Sequence, residues 1–313
     1  MTPIKKIDQN KALREMEAQL MPGEAEAVMA TLTAGDVNSW ASKRISDDDR
    51  ENEAAVRQHI VVEYGKKPAE AGQAYRDMVA YVQNAELTVN FNADQVFNQN
   101  ISARYENIFE RSDDVELKSN RDHFESRLFR YGTIEPDFKA QEVIDRIRRN
   151  GSYDRGNNAA FRPVIRPKYG ALNIFEHRTG AADDYGHSYL VLKNYMKQRC
   201  TFTGADSFLA TGPKWLSNFF NMGALLRSMD DNAFDILYRK SQGQHQNLPD
   251  LILTNYFLEA QIHAEVLLTR DVSKICFDNY ELSRGTAQDN RQLAATLGSF
   301  LAHNPFIAVE YFD

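Results

Sequence analysis

The most informative stretch of the sequence reads Tyr256-Phe257-Leu258-Glu259-Ala260-Gln261-Ile262-His263-Ala264-Glu265-Val266. Apolar and polar residues alternate along it, which predicts one long β-strand within residues 255–268. One face of that strand carries four polar side chains: Glu259, Gln261, His263 and Glu265. Four polar groups in a row need either solvent or partners. The face is therefore either solvated or the wall of a cleft that holds a polar ligand.

Similar short runs recur along the chain from residue 86 onward. They are Leu87–Phe91, Tyr169–Ile174, Tyr185–Leu192, Cys200–Thr203 and Ile275–Phe277. Turn residues such as Thr179-Gly180 separate them, which favours a hairpin-rich antiparallel sheet. Helical patterns interrupt or follow the strands within residues 138–149, 213–238 and 287–302.

The first 85 residues show a different periodicity. Apolar side chains recur there every three or four residues, as in amphipathic helices. We predict helices near residues 12–20 and 24–32, a third capped by Asp47–Asp49, and a fourth after Pro68. The fold class is thus α+β. A helical N-terminal region (residues 1–85) is expected to pack on a mostly antiparallel-sheet domain (residues 86–313).

Composition excludes several classes of protein. The 313 residues are 42% hydrophobic, which is enough for a packed core and excludes a wholly disordered chain. A net charge of -7 argues against bulk binding of nucleic acid. No apolar run approaches the roughly 20 residues that span a bilayer. The start of the sequence also has no apolar segment of the kind found in Sec-type signal peptides.

Common catalytic and metal-binding motifs are absent from the sequence. It has no Gly-x-Gly-x-x-Gly, no phosphate-binding Gly-x-x-x-x-Gly-Lys loop, no His-Glu-x-x-His and no Gly-x-Ser-x-Gly. The seven histidines show no i, i+4 pair, and Cys200 and Cys276 alone cannot form a thiolate zinc site. We therefore expect no metal site and a reducing compartment.

Five segments together resemble a bacterial domain family that long carried no assigned function and that includes mono-ADP-ribosyltransferase effectors. The segments are Asn90–Asp94, Asn120–Phe129, Arg166–Asn173, Arg199–Ser207 and Glu259–His263. The resemblance spans residues 85–285. It implies an ADP-ribosyltransferase-like fold for the second domain. Arg111–Val115 replaces a Gly/Ser/Asn-rich turn of that family, and Arg130-Tyr131-Gly132 stands where a glycine pair is expected.

The resemblance implies a reaction and a set of catalytic residues. The enzyme would move ADP-ribose from NAD to a protein, through a transition state that resembles an oxocarbenium ion. The arginine, serine, glutamate order of such transferases assigns Arg104, Ser188 and Glu259, which should converge around one NAD-sized cleft. The serine would bond the ribose or brace the glutamate. Glu110 is the rival catalytic carboxylate.

The resemblance also implies the residues that bind NAD and the setting of the protein. The candidates are Arg104, Tyr169, Ser188, Gln261 and His263, with Tyr185 as a second ring that could stack on nicotinamide. NAD is expected as substrate, with a protein of unknown identity as acceptor. The expected location is the bacterial cytoplasm, or a host cytosol reached without a cleavable signal peptide.

Two other functions stay open at this point. One is a catalytically inactive protein-binding module on the same fold, which the departure at Arg111–Val115 favours. The other is a nucleotide-processing hydrolase that uses Glu259 and His263 as general acid and base.

Overall fold

A computed structural model gives the structure of residues 39–93, 105–111, 114–129, 166–207, 215–244, 256–263 and 266–313. The predicted helices at residues 12–20, 24–32 and 138–149 lie outside these described residues.

Helices cover much of the described chain. They are α1 (Ser39–Tyr64), α2 (Pro68–Asn84), α3 (Ile108–Arg111), α4 (Val115–Phe129), α5 (Gly223–Arg227), α6 (Asp231–Ser241), α7 (Leu268–Asp271), α8 (Asn279–Ser283) and α9 (Ala287–His303). Among the described residues, no helix is long and apolar enough to cross a bilayer.

The strands form one eight-stranded sheet. They are β1 (Leu87–Phe91), β2 (Lys168–Leu172), β3 (Ser188–Leu192), β4 (Cys200–Thr203), β5 (Ser217–Asn218), β6 (Leu258–Ile262), β7 (Val272–Asp278) and β8 (Ala308–Phe312). Their order across the sheet is β5-β4-β6-β2-β1-β3-β7-β8. Every neighbouring pair is antiparallel except β7 and β8, which α8 and α9 connect. The predicted α+β class with a mostly antiparallel sheet is confirmed.

One face of the sheet packs on helices. Leu258, Ala260 and Ile262 of β6 belong to a buried cluster that also contains apolar side chains of α1, α2, α5, α6 and α9. Burying each large aliphatic side chain of this kind contributes about 1.5–3 kcal/mol. The described part of the predicted N-terminal helical region therefore shares its core with the sheet.

Local sequence signals explain where some helices begin. Pro68 occupies the first turn of α2, where its missing N–H costs nothing, and Glu70 accepts a hydrogen bond from the Lys67 N–H at 3.1 Å. The prediction that Asp47–Asp49 caps a helix is wrong, since these residues lie inside α1. Asp49 instead accepts the N–H of Gly223 at 3.0 Å, at the start of α5.

Two strand predictions need correction. The strand predicted within residues 255–268 is shorter: β6 ends at Ile262, and α7 begins at Leu268. There Asp271 accepts the N–H of Leu267 at 2.7 Å, which turns the chain into that short helix. The strand predicted from Tyr185 begins only at Ser188, because Asp183–Tyr185 forms a 3-10 turn.

Candidate functional site

The polar face of β6 is buried inside the protein. β6 lies between β4 and β2, so that Glu259 faces Thr203 on one side and Ala171 on the other. Only 5% of Glu259 is exposed, and Gln261 and His263 are buried as well. The predicted alternation is confirmed for Glu259, Gln261 and His263, whereas Glu265 lies outside the described residues. For these three residues the structure excludes the interpretation of the face as solvated.

The Glu259 carboxylate has protein donors on both oxygens. Gln261 donates from Nε2 to Oε1 at 2.7 Å, and the backbone N–H of Ser207 donates to Oε2 at 3.3 Å. The Ser207 hydroxyl is buried beside the same carboxylate, but it makes no hydrogen bond with any residue that the structure describes.

Burial changes the acidity of Glu259. Desolvation raises its pKa to about 7, and the negative charge of Asp206 adds to the rise. The hydrogen bonds from Ser207 and Gln261 stabilise the ionised form and oppose the rise. The group therefore changes its charge near neutral pH, as catalytic carboxylates often do.

A cavity of about 370 Å³ opens in front of Glu259. Its walls combine aromatic rings, amides and charges: Asn90, Phe91, Asn92, Tyr105, Glu106, Asn107, Ile108, Arg121, Pro167, Lys168, Tyr169, Gly170, Ala182, Tyr185, Asp206, Phe257 and Glu259. Mixed aromatic and polar walls of this kind suit a small ligand with a ring and several hydroxyl groups. The cavity brings together three of the predicted residues: Glu259, Tyr169 and Tyr185.

Arg121 on α4 provides a cation in the cavity wall. Its guanidinium carbon lies 4.4 Å from the centre of the Tyr169 ring, which is cation–π geometry. The Tyr169 hydroxyl donates to Glu125 at 2.9 Å, and Glu125 pairs with the fully buried Arg166 at 2.9 Å. These contacts fasten α4, and Arg121 with it, to β2.

Tyr185 also lines the cavity, on a backbone that is held in place. Asn90 donates to the carbonyl of Gly186 at 2.8 Å and accepts the N–H of Ala182 at 3.2 Å. One side chain thus binds the residues on both sides of the Asp183–Tyr185 turn. Gly186 has φ 125°, and a Cβ there would stand 2.2 Å from the carbonyl of Phe91. Only glycine fits that position. Tyr185 meets Phe257 edge-on, with ring centres 6.1 Å apart.

Ser188 does not lie near Glu259. Its register partner is Phe91, on the helix-packed face of the sheet, whereas Glu259 is in register with Ala171 and Thr88 on the other face. The Ser188 hydroxyl donates to Glu281 at 2.7 Å. The predicted convergence of Ser188 with Glu259 is therefore wrong.

The structure places the other predicted residues as follows. Gln261 contacts Glu259, and His263 lies on the same strand face but does not line the cavity. Arg104 lies outside the described residues, as does the side chain of Glu110. Within the described ranges, no three His, Cys, Asp or Glu residues come close enough to hold a metal ion.

Sequence reasoning missed Ser207, Arg121 and Asn90. All three lie in segments that carried the family resemblance, so a signal was present. The serine predicted beside the glutamate was Ser188, and the backbone contact of Ser207 became visible only when β4 paired with β6.

Comparisons with known proteins give one partial match and no activity. Residues 104–236 match the model of a protein family of unknown function, DUF3626. The DUF3626 match includes Arg121, Tyr169 and Ser207, and it ends before Glu259. No curated protein matches the chain.

Proposed function

We propose that the protein is a mono-ADP-ribosyltransferase, and that the cavity in front of Glu259 binds the nicotinamide ribose of NAD. The observation that carries the proposal is a buried carboxylate at the inner wall of a cavity that also has aromatic walls and a cation. Enzymes that break glycosidic bonds need such a carboxylate where positive charge develops.

The hydrogen bonds of Glu259 define what the cavity presents to a ligand. The Gln261 amide and the Ser207 backbone N–H can only donate to it, so they occupy one acceptor direction on each oxygen. The ionised carboxylate keeps its remaining directions for donors in the cavity. The hydroxyl groups of a ribose are donors of this kind, and a developing cation at C1′ is stabilised by the same charge.

One cation among the lining residues suits the phosphates of NAD. Arg121 presents a planar fork that matches phosphate oxygens. Tyr185 and Phe257 offer ring surfaces for nicotinamide.

The proposed reaction exchanges one bond at C1′ for another. The bond between C1′ and the nicotinamide nitrogen breaks, and both electrons leave with the nicotinamide. A nucleophilic side chain of the target protein bonds to C1′ and releases its proton. Glu259 remains ionised throughout and forms no covalent bond.

The hydrolase alternative is less well supported. Its general acid–base pair needs His263 at the cavity, but the Nε2 atom of His263 lies 2.8 Å from the Thr201 hydroxyl. Burial and nearby cations also lower the pKa of His263 to about 3, so the ring stays neutral at physiological pH.

Release of nicotinamide from NAD tests the proposal. The protein should release nicotinamide and transfer labelled ADP-ribose to proteins of a cell lysate, and Glu259→Gln should slow both by about 10²–10³-fold. Ser188→Ala is the matched control. Ser188 lies on the other face of the sheet, so this change should lower the rates only as far as it lowers the amount of folded protein. A folded wild-type sample that neither binds NAD in calorimetry nor releases nicotinamide would overturn the proposal.

A further inference from the structure

The Glu-Ala-Gln-Ile-His segment forms a chain of hydrogen bonds behind the cavity. Gln261 Nε2 lies 2.7 Å from Glu259 Oε1, and the Thr201 hydroxyl lies 2.8 Å from Gln261 Oε1. The same hydroxyl lies 2.8 Å from His263 Nε2. The chain thus runs from His263 through Thr201 and Gln261 to Glu259, and all four residues are buried.

The donors and acceptors of each side chain allow this series of hydrogen bonds only one direction. Gln261 must turn its NH₂ group to Glu259, because an ionised carboxylate has no proton to donate. Its carbonyl oxygen then needs a donor, and the single hydroxyl proton of Thr201 fills that role. Thr201 can therefore only accept from His263, which must carry its proton on Nε2.

The second N–H of Gln261 fixes the amide against rotation. Nε2 also lies 3.1 Å from Thr203 Oγ1, and the Thr203 hydroxyl donates to the carbonyl of Ala205 at 2.7 Å. A flipped Gln261 amide would direct its oxygen at the carboxylate of Glu259 and its NH₂ at Thr201. Every donor in the chain therefore points toward Glu259, and hydrogen bonds aligned in this way reinforce one another.

We propose that His263, Thr201 and Gln261 form a directional hydrogen-bond relay that orients the Glu259 carboxylate toward the cavity and favours its ionised form. His263 and Gln261 are positioning residues in this relay, and they leave ligand contact to the residues that line the cavity. The relay explains why glutamate, glutamine and histidine stand two residues apart, on one face of a strand opposite two threonines. Only the catalytic use of Glu259 rests on the proposed function.

Other charged and titratable groups also act on Glu259 or on His263. The groups that act on Glu259 are Asp206 after β4, Arg121 on α4, Tyr169 on β2 and Tyr185 in the 3-10 turn. The groups that act on His263 are Arg199 and Lys168. The variants that test the relay leave all of these in place.

The ionisation of Glu259 can be measured without NAD. In a protein with ¹³C-labelled glutamate carboxyl groups, the Glu259 signal is identified by its loss in Glu259→Gln and is titrated by NMR. Gln261→Met removes the direct donor, and we expect the midpoint to rise by about one unit or more. Thr201→Val removes only the middle link, and we expect a rise of about half a unit.

Ser217→Ala is the matched control. It removes another buried hydroxyl, which accepts the N–H of Leu225 at 2.7 Å and takes no part in the relay. Its titration midpoint should equal that of the wild type. A Thr201→Val midpoint equal to that of Ser217→Ala would overturn the relay, even if Gln261→Met failed to fold. Shifted midpoints in a protein that does not release nicotinamide would keep the relay and reject the transferase.

Discussion

The Tyr169 hydroxyl donates a 2.9 Å hydrogen bond to Glu125, on the helix that carries Arg121. Glu125 is fully buried and also pairs with the fully buried Arg166. Tyr169 is thus a wall of the cavity and also part of the contact that holds α4 on the sheet.

The ion pair predicts a large loss of stability when one partner is removed. Glu125→Gln leaves the Arg166 guanidinium buried without its carboxylate, and we expect the free energy of unfolding to fall by about 3–5 kcal/mol. Urea denaturation measures this loss. The double variant Glu125→Leu with Arg166→Met should regain most of it, because neither charge then remains. A double variant as unstable as the single one would contradict this account.

The stability of the protein should depend on the charge of Glu259. The pKa of the folded-state carboxyl is raised from 4.5 to about 7, so the folded protein binds the proton more tightly and loses stability as the pH rises through that range. Glu259→Gln stays neutral, so its stability relative to the wild type should improve by about 2–3 kcal/mol between pH 5 and pH 8. Urea denaturation at both pH values tests this prediction. Ser217→Ala, which removes a buried group that carries no charge, should show no such dependence.

Activity should rise with the same ionisation of Glu259 that lowers the stability of the protein. If ionised Glu259 stabilises the transition state, kcat/KM for NAD falls about tenfold per pH unit below a pKa of about 7 and levels off above it. Initial rates of nicotinamide release between pH 5 and 9 give the profile. A rate that stays constant down to pH 5 would show that this carboxylate does not titrate in the rate-limiting step.

Gly186 should tolerate no side chain, in contrast to another glycine of positive φ. A Cβ at Gly186 meets the Phe91 carbonyl, whereas a Cβ at Gly243 meets nothing within 4 Å. Gly243→Ala should cost about 1 kcal/mol of backbone strain. Gly186→Ala should cost clearly more and also weaken NAD binding, because the clash displaces Tyr185. Thermal unfolding and NAD calorimetry of the two variants make the comparison, and equal costs would contradict it.

Tyr185 should contribute to NAD affinity and little to stability. The residue is 56% exposed, so truncation removes little buried area. Tyr185→Ala should weaken NAD binding about three- to tenfold, whereas Tyr185→Phe keeps the ring and most of the affinity. Tyr280→Ala removes an even more exposed ring outside the described cavity lining and serves as control. Equal affinities of Tyr185→Ala and Tyr280→Ala would argue against ring stacking.

Local patterns in the sequence predicted the elements of the fold better than their arrangement. The alternation around Glu259 predicted correctly which side chains share a face, because side-chain direction repeats every two residues in any strand. The face of Ser188 could not be predicted in this way. β3 is buried on both sides, so its residues read as a continuous apolar run with no sign of which face is which.

These local patterns could not predict contacts between strands that lie far apart in the sequence. Ser207 lies beside Glu259 only because β6 pairs with β4, and that pairing joins segments more than 50 residues apart. The parallel strand β8 was also missed, since three of its five residues are exposed and its apolar alternation is weak.

The position of β6 affects how the protein is made. β6 follows β1 to β5 along the chain, yet it is inserted between β4 and β2. While a ribosome is still synthesising the chain, the facing edges of β2 and β4 have no partner until residue 262 has left the exit tunnel. The nascent chain therefore exposes two open strand edges while the residues between β4 and β6 are being made, and such edges favour aggregation. Chaperone binding to nascent chains should consequently be strongest before β6 emerges.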